Sequence, residues 1–205
     1  MGLVTAHMSM SLDGFVAGPN GGAGNPLGDG GSRIQEWMFD LATFNEAQGK
    51  SGGRTGKDDE VLRERFNAPG AVVLGRRMFD EGEEPWGDEP PFHAPVFVLT
   101  HDAREPLVKE GGTTFTFVTD GVESALDQAK AAADDGTVNV GGGGNTVSQF
   151  IQAGLLDELE IHLTPVLFGK GVRLFDQLGG DNVDLELDRV VQSEAMTHLR
   201  YRIAK

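Results

Sequence analysis

Apolar positions recur along the chain in short blocks, and their spacing switches between two periods. Residues 3–10 are nearly continuous in apolar or small side chains, which predicts a buried strand near the centre of a sheet. Ser11, Leu12, Asp13 and Gly14 then predict a turn, and 15–17 continue extended. Ile34, Trp37, Met38, Leu41 and Phe44 recur at helical spacing, so a helix with one apolar face is expected over 33–48. A shorter helix is expected over 57–66, with Val61, Leu62 and Phe66 inward, broken by Asn67, Ala68, Pro69 and Gly70. The runs 71–74, 95–99, 113–118 and 137–140 are rich in β-branched or aromatic residues and predict strands. Residues 121–134 predict a helix with Val122, Ala125, Leu126 and Ala129 inward.

The last third reads differently. Leu159, Ile161 and Leu163 alternate with Glu158, Glu160 and His162, the pattern of a half-exposed strand. Residues 172–178 predict a short helical turn, and 183–191 with 196–203 predict an antiparallel hairpin. Helices and strands alternating through the middle, with antiparallel strands at the end, imply an α/β fold. It is a three-layer α/β/α arrangement around one mixed, mainly parallel sheet. The chain is expected to be one domain across 1–205, with long Gly-rich loops at 18–31 and 49–56 that could close over a ligand or be surface excursions.

Composition narrows the function classes. The 205 residues carry 17 Lys and Arg against 32 Asp and Glu, a net charge of −15, which repels nucleic acid and anionic membrane. Cysteine is absent, which removes disulfides, thiolate catalysis and Cys-metal sites. No apolar run approaches transmembrane length and no secretory signal pattern opens the chain, so a cytoplasmic location is expected. The five histidines are scattered without H-x-x-x-H spacing, so no metal site is expected. No G-x-S-x-G elbow anchors a hydrolase triad.

Candidate chemistry gathers where strands end. Residues 137–140 run into Gly141, Gly142, Gly143 and Gly144, and Asn145, Thr146, Val147, Phe150 and Ile151 then predict a helix. A glycine turn into a helix start presents free N–H groups and partial positive charge, the physics of a phosphate cradle. Neither a P-loop nor G-x-G-x-x-G is present, and a plain flexible turn is the alternative. The strand 71–74 likewise passes through Gly75 into Arg76, Arg77 and Met78. Adjacent guanidinium groups suit phosphate; alternatively they pair with Asp80, Glu81 and the acids that follow. A third strand ends in Thr100 and His101, where open α/β sheets place ligand contacts.

Residues 8–18 (Met-Ser-Met-Ser-Leu-Asp-Gly-Phe-Val-Ala-Gly), the Gly75-Arg76-Arg77-Met78-Phe79 turn, Val96-Phe97-Val98-Leu99-Thr100 and Val140 with the four glycines together resemble the dihydrofolate reductase-like superfamily. Residues 154–159 and 164–171 (Thr-Pro-Val-Leu-Phe-Gly-Lys-Gly) resemble its riboflavin-biosynthesis deaminase-reductase branch, here without a deaminase domain. The resemblance covers nearly the whole chain and implies a mixed sheet of about eight strands. It implies NADPH as hydride donor. It places Gly75, Arg76, Arg77 and Met78 by the 2′-phosphate and pyrophosphate, and Thr100 and His101 by the 2′-phosphate and adenine. Gly142, Gly143, Gly144, Asn145 and Thr146 would hold the pyrophosphate, and Val16 and Ala17 would edge the nicotinamide. Members of the family are often homodimers, and the Leu159-Ile161-Leu163 strand or the terminal hairpin could supply that interface.

In dihydrofolate reductases a carboxylate on the first helix serves the pterin. Glu36, Asp40 and Glu46 occupy the corresponding stretch. Asp40 is the first choice as catalytic group, with Trp37 as substrate-binding partner three positions earlier on one expected helix face. An exposed Asp40 beside a core tryptophan is the plainer alternative. Asp13 reads as a turn former, and Lys170 as a solvated loop lysine or a contact for a substrate phosphate. The expectation is an NADPH-dependent reductase acting on a small pterin-like or ribosylaminopyrimidine-like heterocycle. A non-catalytic NADP(H)-binding sensor or sequestering module is the alternative.

Overall fold

The computed structural model describes residues 2–66, 69–179 and 182–204. Eleven strands and five α-helices follow the chain: β1 Val4–Ser11, β2 Phe15–Ala17, α1 Ala42–Ala47, α2 Lys57–Phe66, β3 Ala71–Gly75, α3 Arg76–Trp86, β4 Pro95–Leu99, β5 Leu107–Val108, β6 Thr114–Val118, α4 Val122–Ala133, β7 Val138–Gly142, α5 Gly144–Gln152, β8 Glu158–Thr164, β9 Val172–Arg173, β10 Leu185–Gln192 and β11 Thr197–Ile203. Nine strands make one sheet in the order β10-β11-β8-β1-β7-β3-β4-β6-β5. The six central strands are parallel, and antiparallel β5 and the β10–β11 hairpin flank them. The expected mixed, mainly parallel sheet is therefore present.

Alternation along β3 shows how the sheet is covered on both faces. Ala71 and Val73 join a core with Ala125 and Leu126 of α4 and Val147 and Phe150 of α5. Val72 and Leu74 point the other way, onto Phe79 of α3, Val96, Val98 and Phe115. A third cluster joins Trp37, Met38 and Leu41 to Leu62 of α2 and to Met196. Buried on both sides, the parallel strands read as continuous apolar runs.

The expected helix over 33–48 does not form as one element. Two short 3-10 turns, Gly31–Ile34 and Glu36–Met38, precede α1, and Leu41 between them is extended (φ −75°, ψ 147°). Leu41 bridges to Arg54, with Arg54 N–H donating to Asp40 O (2.7 Å) and Ala42 N–H to Arg54 O (3.0 Å). The loop at 49–56 thus returns to hydrogen-bond the chain where a helix would have continued. The apolar residues Ile34, Trp37, Met38 and Leu41 are buried all the same.

Other departures are confined to single elements. α3 runs on to Trp86 through Pro85, well past Glu81, where a loop was expected. Residues 172–173 are a strand, pairing antiparallel with β2, and not a helical turn. The hairpin forms as expected, as β10 and β11. The stretch 158–163 is not half-exposed: Glu160 is 3% and His162 0% exposed, because that face lies under α2 and the Trp37 segment. Leu159 and Ile161 sit in the core, which removes them as a dimer surface. Exposed Leu185, Leu187 and Val190 lie instead on the edge strand β10. The expected helix breakers Asn67 and Ala68 lie outside the described residues. No described helix is long and apolar enough to cross a membrane.

Candidate active site

The parallel strands β1, β7, β3 and β4 end on one side of the sheet, and a cleft of about 860 Å³ opens there. Its walls include Gly75, Arg76, Arg77 and Met78 from the β3–α3 junction, and Thr100 and His101 after β4. Gly142, Gly143, Gly144, Asn145 and Thr146 come from the β7–α5 junction, and Val16 and Ala17 from β2. Three strand ends far apart in sequence thus meet, at the position where open α/β sheets bind ligands.

The glycines are needed for two different reasons. Gly142 has φ +118°, outside the range of ordinary side chains. A Cβ on Gly75 would collide with Thr146 Oγ1, so the close approach of β3 to α5 depends on its absence. Gly143 faces open space, with nothing within 4 Å of a built Cβ, so a ligand can reach its backbone. Beyond it α5 begins, and the first amides of a helix have no helical acceptors.

The paired arginines make the expected ion pairs while facing the cleft. They line the cleft, and each also pairs one turn along α3: Arg76 Nε with Asp80 (2.7 Å) and Arg77 Nε with Glu81 (2.7 Å). Arg76 Nη1 further donates to Thr100 Oγ1 (3.4 Å) and lies 3.9 Å from Asp102. A phosphate here would share its guanidinium groups with these carboxylates.

Part of the Gly-rich loop at 18–31 is built into the site. Gly18 N–H donates to Leu27 O (2.7 Å) and Asp29 N–H to Pro19 O (2.7 Å), while Asn20 and Asn25 both donate to the Asp29 carboxylate. This bonding places Pro26 and Leu27 against the cleft. Asp13, the expected turn former, does more than turn the chain. It accepts from Ser11 Oγ (2.7 Å) and, across the fold, from the amides of Phe168 (3.0 Å) and Gly169 (2.7 Å). Desolvation opposes its ionisation, but these hydrogen bonds outweigh it and hold the carboxyl down at about 2.

Asp40 and Trp37 are not brought to the cleft. Asp40 is 63% exposed at the side chain and paired with Arg54 (3.0 Å). Trp37 is buried, with Nε1 donating to Ser9 Oγ (3.0 Å). They share no helix face because Leu41 and the 3-10 turns replace the helix. Glu36 and Glu46 do not line the cleft either.

What sequence reasoning missed is a polar cluster beneath the inner end of the cleft. Trp37 packs on His162 and His198, whose Nδ1 atoms are 2.8 Å apart, and His198 Nε2 lies 3.1 Å from Asp58 Oδ1. With Asp58 ionised, His198 donates to it from Nε2. Burial drives the His162 pKa well below 6.5, so the ring is neutral. Asp58 itself stays low because the hydrogen bonds from His198, Ser193 and Arg54 outweigh desolvation. Beside this chain His7 of β1 lines the cleft and faces its register partner Glu160 of β8. Polar residues inside an otherwise apolar strand, His7 and Ser9, were the signal that could have exposed the cluster. Among the described residues, no three His, Asp or Glu side chains could hold a metal ion together.

The sequence profile described as the RibD C-terminal domain matches residues 3–199. No curated protein sequence matches the chain. Among solved structures, a putative riboflavin biosynthesis protein from Shewanella sp. PV-4 is 21% identical with a TM-score of 0.66, over 98% of each chain. A Thermotoga maritima diaminohydroxyphosphoribosylaminopyrimidine deaminase/5-amino-6-(5-phosphoribosylamino)uracil reductase is 16% identical (TM-score 0.61); the match takes in 99% of this chain and 57% of that one. The Enterococcus faecalis dihydrofolate reductase complexed with NADP(H) and RAB-propyl is 17% identical (TM-score 0.54), over 99% and 97%. These likenesses show a dihydrofolate reductase-like fold.

Proposed function

The chain belongs to the RibD C-terminal domain family, and from that premise we propose that it is an NADPH-dependent reductase of a small heterocyclic substrate, pterin-like or ribosylaminopyrimidine-like. The observation that carries the reading is the meeting of the β3, β4 and β7 ends in one cleft. All thirteen residues expected to hold a cofactor line it.

The residues fit the group. Gly143 leaves its backbone open where a diphosphate would lie, next to the first turn of α5. Arg76 and Arg77, with Thr100 and His101 beside them, offer the donors that an extra 2′-phosphate requires, which favours NADPH over NADH. Val16 and Ala17, on the β1 side of the same cleft, give the nicotinamide an apolar edge. NADPH would supply hydride; the protein's part is to bind, orient and exclude water. The Enterococcus faecalis neighbour is titled as an NADP(H) complex, and the Thermotoga maritima neighbour as a uracil reductase. Those names set the probes to try.

The test follows the absorbance of reduced nicotinamide with dihydrofolate and with 5-amino-6-(5-phosphoribosylamino)uracil. Oxidation with either supports the reductase. Tight NADPH binding without oxidation by either supports the alternative, a cofactor-sensing or sequestering module. The placement of Asp40 outside the cleft is the one observation that favours that second reading.

A further inference from the structure

Reduction of a C=N or C=O group needs a proton beside the hydride, and the carboxylate expected to assist it lies outside the cleft. Resting on the reductase reading, we propose that His7, braced by Glu160, is the catalytic proton donor, resupplied through a second cavity behind it.

The cleft's titratable groups divide by wall. Arg76, Arg77, Glu81, His101 and Asp102 belong to the β3–β4 side, where the adenosine phosphate is placed. On the β1 side, with Val16 and Ala17, the ionisable residues are His7 and Arg65. A guanidinium does not release its proton in the working pH range, which leaves His7.

The position of His7 suits the task. Its side chain is 15% exposed, yet its Nδ1 is shut away from solvent, 3.2 Å from Glu160 Oε2 and off the direction of a full hydrogen bond. The exposed part of the ring is therefore the remainder, which includes Nε2. The ring stacks on His162 at 6.2 Å and 11°, and Arg200 grips the Glu160 carboxylate at 3.0 Å. Desolvation opposes ionisation of Glu160, but the contact from His7 and the charge of Arg200 hold it down at about 2, so it remains a carboxylate.

His7 also lines a separate cavity of about 190 Å³ with Thr5, Glu64, Arg65, Asn139 and Arg200. This cavity lies towards the opposite ends of the strands, near Leu3 and Thr137. Cofactor and substrate filling the cleft would leave it open. In the step, the substrate carbon receives the hydride and its electron pair, while the His7 Nε2–H bond breaks and an N–H or O–H bond forms on the substrate. The donor is the imidazolium, and the neutral imidazole left behind takes a proton back at Nε2 from solvent hydronium arriving through the smaller cavity. The groups facing His7 are Glu160 and His162 from β8, Arg200 from β11 and Arg65 from α2. Burial, Arg65 and Arg200 lower its pKa below 6.5, and Glu160 opposes them.

Two readouts test this. Imidazole NMR titration of the wild-type protein without ligand should give His7 a pKa below 6.5, and Glu160→Gln should move it lower still. The single-turnover rate of NADPH oxidation, with whichever of the two probes reacts, should fall as pH rises through that same pKa. It should shift with Glu160→Gln. In His7→Gln the rate should drop about 10²–10⁴-fold and lose that limb, with the NADPH Kd unchanged. Wild-type rate and pH profile in a His7→Gln variant that still binds NADPH would overturn the inference and leave the reductase reading standing. Failure to bind NADPH, or binding without turnover of either probe, defeats that reading and this role with it.

Discussion

Replacing Arg76 with Ala should weaken NADPH and leave NADH almost untouched, and the structure sets the size of the effect. A charge-assisted hydrogen bond contributes about 1.5–3 kcal/mol. Arg76 is not a free cation, however. It is held by Asp80 at 2.7 Å, with Asp102 at 3.9 Å, and the side chain is 34% exposed. Sharing that exposed pair with a phosphate subtracts up to about 1 kcal/mol, leaving a net contribution of about 1–2 kcal/mol. The NADPH Kd should therefore rise about 5–30-fold. Helix α3 should survive, since an i,i+4 pair contributes only about 0.3–0.5 kcal/mol. The assay is titration of wild type and Arg76→Ala with both cofactors by quenching of protein fluorescence, with melting temperatures measured alongside. Added salt should shrink the difference. Equal weakening of NADPH and NADH, or of neither, would refute the placement of the 2′-phosphate on Arg76.

Stability should fall on mild acidification. The folded protein keeps His162 neutral well below pH 6.5, whereas the unfolded chain takes up a proton near that value, so denaturant midpoints should drop as pH falls below 6.5, by up to about 1.4 kcal/mol per pH unit; a flat profile contradicts the buried neutral ring. Asp13→Ala should expose the amides of Phe168 and Gly169, which its carboxylate now accepts, and hydrogen exchange at those two positions should accelerate while the β3 amides stay protected. Asp40→Asn should leave reductase turnover at the wild-type level, because Asp40 pairs with Arg54 away from the cleft; a large loss of kcat would restore it to the reacting end.

The parts of the fold that were legible are those set by local pattern. Ala71–Gly75 and Pro95–Leu99 are buried on both faces, so their β-branched runs announce strands wherever the chain goes next. The strand-end groups Gly75-Arg76-Arg77, Thr100-His101 and the four glycines were legible for the same reason. What failed was set by partners distant in sequence. A helix over 33–48 satisfies the apolar periodicity, but Arg54 claims the hydrogen bonds at Asp40 and Ala42. Glu160 and His162 alternate with leucines as solvent-facing residues do. They are buried because His7, His198 and Arg200, on other strands, meet their polar atoms. No local window contains those partners, and the polar His7 and Ser9 within an otherwise apolar strand were the only local sign of the cluster.

The most direct measurement is an NMR titration with NADPH that follows backbone amides. Saturable shifts should concentrate at residues 141–146, 75–78 and 100–101, three stretches far apart in sequence that meet at the cleft. No shifts at saturating NADPH, or shifts gathered elsewhere, such as along the β10 edge, would contradict the claim that these strand ends form the cofactor site.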